Sequence, residues 1–415
     1  MITLLWEAGA TISAVKIRAV TLGLDLPMPE VSQQPFTEAG QFLADARRAF
    51  ENGNVEVQTL RLAGGELDAL GSNVIQLRNG VSRWAARTEG AARDSGIEYL
   101  SLGRLPSTAH AFVGEHMAPI LAAGEIVFFS ADLIDGRLPS VAMARACATA
   151  AKQLAATTPL GFGNLRFAAT AHCPANIPFL PAAYHMGGPP RFSVAVEAAD
   201  VVVAAFDDAG GMSAIEDRLV GGLEAACEPV ERIADQLAAA SGFGFVGIDL
   251  SPAPFPANDR SIGAAIELAG VAEFGAPGTL YVAAMITRAI RRTRLRRCGF
   301  SGLMLPVLED SVLASRAAQR SPSLHELLLY SAVCGTGLDT IPLPGAISEA
   351  ELAGVYLDVA AMSVALDGKP LTVRLMPVPG GSAGDPTAYD FEYFANSRIL
   401  RMADAGAARI LERGQ

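Results

Sequence analysis

The sequence predicts an α/β fold with a mainly parallel sheet, and three observations carry that expectation. Runs rich in β-branched residues alternate with stretches that repeat apolar residues at helical spacing, the order of βα units. About ten strand candidates occur, enough for a closed barrel or a wide doubly wound sheet. Apolar residues are 51% of the chain and charged ones only 18%, against roughly 25% in ordinary soluble domains, so a large fraction must be buried. Central strands covered on both faces, or a homo-oligomer, would meet that demand.

Residues 1–15 read as a loose leader and 16–415 as one continuous body, since no low-complexity linker or short repeat divides it. Lys16 to Leu26 is the first β-rich run. Phe36 to Asn52 has helical spacing, Val55 to Leu62 (VEVQTLRL) alternates, and Ser82 to Ser95 is helical again. IEYLSLG, a helix near His110 to Ala122, and IVFFSADL continue the alternation. Pro139 to Thr158 is an Ala-rich helix with proline near its first turn. Leu165 to Thr170 opens a second block, and the prolines of NIPFLPAAYHMGGPPRFSVAVE rule out a continuous helix there. Asp200 to Ala209 and Ser213 to Ser241 are helices, and GFVGIDL is a strand. Helices Ser261 to Val271 and Gly278 to Arg297 precede a strand at GLMLPVL, and Asp310 to Arg320 and Ser323 to Val333 are helices. The last of these leads into a turn-rich loop, CGTGLDTIPLPG. Ser348 to Leu366 is the final helix and LTVRLMPV the final clear strand.

A net charge of −11 and a pI near 5.0 disfavour nucleic acid or an anionic membrane surface as partner. No apolar run of about 18 residues exists to span a bilayer, and Glu7 and Lys16 interrupt any secretory core, so a cytoplasmic location is expected. The five cysteines are odd in number and lack C-x-x-C spacing, which indicates neither a disulfide framework nor a zinc knuckle. The arginines at 288, 291, 292, 294, 296 and 297 read as a solvated helix face or a subunit contact. VPGGSAGD lacks the Gly-Lys-Ser/Thr of a nucleotide loop, and GFGFVG precedes a strand where a dinucleotide fingerprint would follow one.

Candidate site residues cluster where strands run out into loops, since ligands gather beyond the carboxyl ends of parallel strands. Asp249 ends one strand with Ser251 beside it; Glu309 and Asp310 end another; Asp339 lies in the cysteine loop and Asp385 closes a glycine-rich turn. Carboxylates so placed suit Mg²⁺ or Ca²⁺, though Asp310 is also a natural helix N-cap, and Asp339 and Asp385 natural turn residues. Cys334 is a candidate nucleophile or thiyl relay, or else a buried thiol at a helix end. The amides of Gly335, Thr336 and Gly337 could form an anion-binding nest. Tyr184 and His185 close a proline-stiffened segment in which His185 is a proton carrier or a satisfied structural group. Arg374, between apolar neighbours on a strand, needs a carboxylate partner or an anionic ligand if it faces inward.

NIPFLPAAYH, GIDLSPAP, GFSGLMLPVLEDS, VCGTGLDTIPLPG and KPLTVRLMPVPGGSAGD together resemble the domain-of-unknown-function 711 family, also called uncharacterised protein family 0210, from about Ile17 to Arg398. The resemblance implies a ten-stranded α/β barrel similar to pyruvate formate-lyase and ribonucleotide reductase, with outer helices and an interior loop for which VCGTG is the candidate. The Arg-Val-x-Gly-Tyr segment of glycyl-radical enzymes does not occur in this sequence. Members often neighbour a small ACT-type protein, which implies amino-acid-like ligands. The leading expectation is a hydrolase or lyase acting on a small anionic metabolite. A non-catalytic ligand sensor with an ACT-type partner, and thiyl-radical chemistry at Cys334, are the alternatives.

Overall fold

The computed structural model describes residues 15–67, 80–207, 210–320, 323–402 and Leu411. Apart from Val15, the expected leader lies outside them. Among the described residues eleven strands occur: β1 (Lys16–Gly23), β2 (Leu60–Ala63), β3 (Tyr99–Leu105), β4 (Val127–Asp132), the short hairpin β5 (Ile134–Asp135) and β6 (Leu138–Pro139), β7 (Phe167–Ala171), β8 (Arg191–Glu197), β9 (Gly244–Asp249), β10 (Gly337–Pro344) and β11 (Leu371–Val378). Nine form one sheet in the order β10-β11-β7-β4-β3-β2-β1-β8-β9. Its middle, from β7 to β1, is all parallel; β11 and β8 join it antiparallel, and β10 and β9 pair parallel to those two. The mostly parallel α/β fold is therefore present, as a central parallel block of five strands flanked on each side by a parallel pair running the opposite way.

Most expected helices form within a few residues of their reading. The helix Val141–Thr157 starts at Ser140, whose hydroxyl accepts the Met143 amide at 3.2 Å, and it buries Ala144, Ala148 and Ala151 completely. Such small side chains let the helix Glu349–Ala365 approach closely; that helix begins with a capping box of Ser348 and Glu351. On the other side, Met212–Ser241 packs along Thr279–Arg292. The basic run has its explanation there: Arg288 and Arg292 pair with Glu216, Arg294 with Glu224, and Arg296 with Asp235. Among the described residues, no helix is long and apolar enough to cross a membrane.

Two expectations change. The turn-rich stretch after Cys334 is an edge strand, β10, because an edge position tolerates Pro342 and Pro344 while Leu338, Ile341 and Leu343 are buried. GLMLPVL, conversely, forms no strand. Gly299 and Ser301 have φ of 63° and 38°, which interrupts extended backbone, and Pro306 has no amide to give. This segment still touches both edges of the sheet. Ile248 N donates to Arg296 O at 2.8 Å beside β9, and Val307 N donates to Asp339 O at 3.2 Å beside β10. The sheet has nine strands where the resemblance implies ten.

It is also strongly curled. Arg18 on β1 and Arg374 on β11 both bond Glu309, at 3.3 and 2.9 Å, although five strand spacings of a flat sheet would separate them by roughly 24 Å. The face inside the curl is filled at one end by the loop 173–189. There Thr21 Oγ1 donates to Pro178 O at 2.7 Å, Ser101 Oγ to Ala183 O at 2.8 Å, and His185 N to Gly64 O at 2.8 Å. Leu180 and Ala183 pack on Ala63 and Phe128. The NIPFLPAAYH segment thus lies inside the curl, and Cys334 to Gly337 of VCGTG are buried as well, with Thr336 on the cavity wall.

Candidate functional site

Beyond that loop, the curl encloses a cavity of about 460 Å³. It is lined by Arg18 from β1, Gln58 and Arg61 at the start of β2, Tyr99 opening β3, Phe128 from β4, Ala168 from β7, and Thr336, Asp339, Thr372 and Arg374 around β10 and β11. Leu180 from the interior loop, Phe300, Met304 and Glu309 from the segment after β9, and Phe391 and Tyr393 from the C-terminal stretch complete the wall. On the central parallel strands it lies toward the amino ends, opposite to the expectation, because the interior loop occupies the carboxyl ends.

A chain of buried charges crosses it. Arg374 Nε donates to Asp339 Oδ1 at 2.5 Å and its Nη2 to Glu309 Oε1 at 2.9 Å; Arg18 Nη1 donates to Glu197 Oε1 at 2.8 Å. The Arg18 guanidinium also lies 4.5 Å over the Tyr393 ring. Burial pushes the Glu309 carboxyl above its ordinary range, and the negative Asp339 adds to this, against the pull of Arg374 and Arg18. Arg374 therefore finds the carboxylate partners that its position demanded.

Arg61 does not. It is 8% exposed, its Nε donates to Thr59 Oγ1 at 2.9 Å, and its guanidinium lies 5.5 Å from the Tyr99 ring centroid. Among the described residues no acceptor meets its terminal nitrogens. Burial, with Arg18 and Arg374 nearby, lowers its pKa to about 10. Three acceptor atoms around the cavity are also unmatched: Thr336 Oγ1, Gln58 Oε1 and Asp339 Oδ2 have no hydrogen bond among the described residues. Groups left this way inside a protein cost free energy unless a guest satisfies them.

The other expected residues serve elsewhere. Asp249 accepts Ser251 N and Oγ, Phe300 N and Ser301 N at 2.6 to 3.0 Å, a wrap made possible by Gly299, where a Cβ would sit 2.1 Å from Asp249 Oδ2. Asp310 accepts Ser261 Oγ at 2.5 Å and the amides of Ile262, Gly263, Val312 and Leu313, so it fixes two helix starts. Asp385 is exposed in a turn and bonds Ser382 N at 2.8 Å. Cys334 is fully buried, and its sulfur accepts Gly337 N at 3.4 Å. Gly335 N donates to Leu303 O at 2.6 Å, so the nest is partly spent on a chain crossing. Tyr184 stacks 4.2 Å from the Arg104 guanidinium, and His185 Nδ1 meets Asn176 Oδ1 at 3.2 Å. Asp249, Asp310 and Asp385 thus stand apart from Glu309 and Asp339. Among the described residues no three His, Cys, Asp or Glu side chains gather as metal ligands would.

Arg18 and Arg61 carry the same signal that marks Arg374: an arginine between apolar neighbours on a β-run, Ile17-Arg18-Ala19 and Leu60-Arg61-Leu62. Gln58, Tyr99 and Tyr393 carry no such signal.

A mostly parallel, curled sheet with helices outside and a charged cavity within defines an α/β protein with an internal hollow. The chain belongs to the family described as Uncharacterised ACR (DUF711), whose model matches residues 11–392. It is 36% identical over 228 residues to a UPF0210 protein of Pyrobaculum aerophilum, covering 53% of this chain and 51% of that one. With the UPF0210 protein of Methanopyrus kandleri it shares 28% identity over 405 residues, 89% and 87% of the two chains. A UPF0210 protein of Lacticaseibacillus casei is 33% identical over 171 residues, 40% of this chain and 37% of that protein. The matched stretch spans about half the length of the Pyrobaculum relatives.

Proposed function

We propose that this protein binds a small metabolite through an anionic group in the internal cavity and acts on it by proton transfer, as a hydrolase or lyase. The observation that carries the reading is Arg61, a buried guanidinium without a carboxylate partner, facing a cavity whose remaining wall is largely apolar. Asp339 is the proton carrier: Arg374 holds one of its oxygens, and the other is free toward the cavity. A broad set of carboxylates and phosphates, screened by calorimetry and for turnover, tests this. Arg61→Met should weaken binding by at least about tenfold. Asp339→Asn should leave the binding of simple carboxylates unchanged while turnover falls by about 10² to 10⁴. If no such compound binds the parent, or Arg61→Met binds equally well, the proposal is lost.

A non-catalytic sensor working with a small ACT-type partner is favoured by one observation. Both oxygens of Glu309 are held by guanidiniums, which leaves little chemistry free in the network. A ligand recovered unchanged after long incubation would select that reading. The two contacts of the segment 295–309 with β9 and β10 support a fold in which this non-strand segment bridges the two sheet edges and closes a barrel.

A further inference from the structure

We infer that the guest is a zwitterion, with a protonated amine as well as an anionic group, on an apolar body. The inference rests on the proposed cavity site and narrows its ligand class. The argument is a charge count. Arg18, Arg61 and Arg374 stand with Glu309, Asp339 and, behind Arg18, Glu197, three of each sign, and Arg166 and Glu125 on the same wall add one of each. A guest with net negative charge would unbalance this buried set, whereas one of zero net charge preserves it.

Balanced overall, the set is not paired throughout. Arg18 and Arg374 spend themselves on Glu197, Glu309 and one oxygen of Asp339. What remains on the cavity wall is one cation with unspent terminal nitrogens, Arg61, and one buried anionic acceptor, Asp339 Oδ2. Arg166 gives its own nitrogens to the Gly124 and Leu121 carbonyls, and the unmatched Glu197 Oε2 belongs to a residue outside that wall. Thr336 Oγ1, 1% exposed and on the same wall, is a further unmatched acceptor. A carboxylate answers Arg61, but only a donor answers Asp339, and the Thr336 hydroxyl can accept from the same donor. An ammonium group, with three N–H bonds and a positive charge, meets both. Phe128, Leu180, Met304 and Phe391 then receive an uncharged side chain. A free amino acid with a large apolar side chain has this pattern.

Matched probes separate the inference from the reading beneath it. L-phenylalanine, 3-phenylpropanoate and phenethylamine, titrated into the full-length wild-type chain, differ only in which charged end is present. Phenylalanine is expected to bind at least about tenfold tighter than either fragment, since a site built for a donor rejects an analogue lacking it. L-leucine against 4-methylpentanoate should repeat the ranking. Asp339→Asn should erase the advantage of the amino acids while leaving the weaker binding of the acids unchanged. Acids that bind as tightly as their amino acids through Arg61 would overturn the zwitterion and leave the anion site standing. Failure of every acid and amino acid to bind would remove both.

Discussion

Arg61 is held charged where water cannot reach it freely, and that sets a pH signature. Its folded pKa, about 10, lies below the ordinary arginine value, chiefly through burial. Between those values the unfolded chain binds more protons than the folded one, so the burial cost is present below about 10 and fades as pH rises through the window. An anion on Arg61 needs the protonated form. Affinity for a carboxylate that binds there should be flat from pH 7 to about 9 and fall as pH passes about 10, which calorimetry across that range checks; constant affinity to pH 11 would show that Arg61 is not the anchor. Asp310 is the counter-example among single residues. With four amides and a hydroxyl upon it, Asp310→Ala should cost on the order of 3 kcal/mol in urea unfolding without touching the cavity. From the sequence both sites are simply acids or bases near strand ends; the difference lies in which backbone amides arrive, and local order does not encode that.

At the level of elements, the VCGTG crossing is built for contact without side chains. A Cβ on Gly335 would lie 2.7 Å from the Gly302 backbone, so neither chain can yield cheaply. Gly335→Ala should destabilise the fold by about 3 kcal/mol, read as a lower urea midpoint with an unchanged slope. The glycines around Cys334 thus have a mechanical reason, and the thiol beside them is sealed away. Elements with a strong period were legible: the helices at 34–52, 141–157 and 349–365 follow from apolar spacing and caps. β10 was not, because proline reads as loop wherever the sequence does not reveal that the strand is an edge. The segment at 302–308 failed the other way. Its apolar run satisfies a strand pattern, yet the bends at Gly299 and Ser301 are set by what they wrap, the Asp249 carboxylate.

For the molecule as a whole, the question is whether the curl is shut. The amides of Ile248, Cys298, Gly335 and Val307 bond across the seam. They should exchange with deuterium as slowly as amides in β4 if the seam is part of the sheet; exchange at loop rates would mean an open edge. The α/β class follows from composition and alternation. The convergence of Arg18, Glu309 and Arg374, 291 and 65 residues apart in the two bonded pairs, belongs to curvature and could not be read from order alone. The loop 173–189 has one more effect. By filling the end at which the central strands finish, it leaves Arg18, Arg61 and Tyr99, all near strand beginnings, on the wall of the hollow, so shortening this loop should enlarge the space without removing those three side chains.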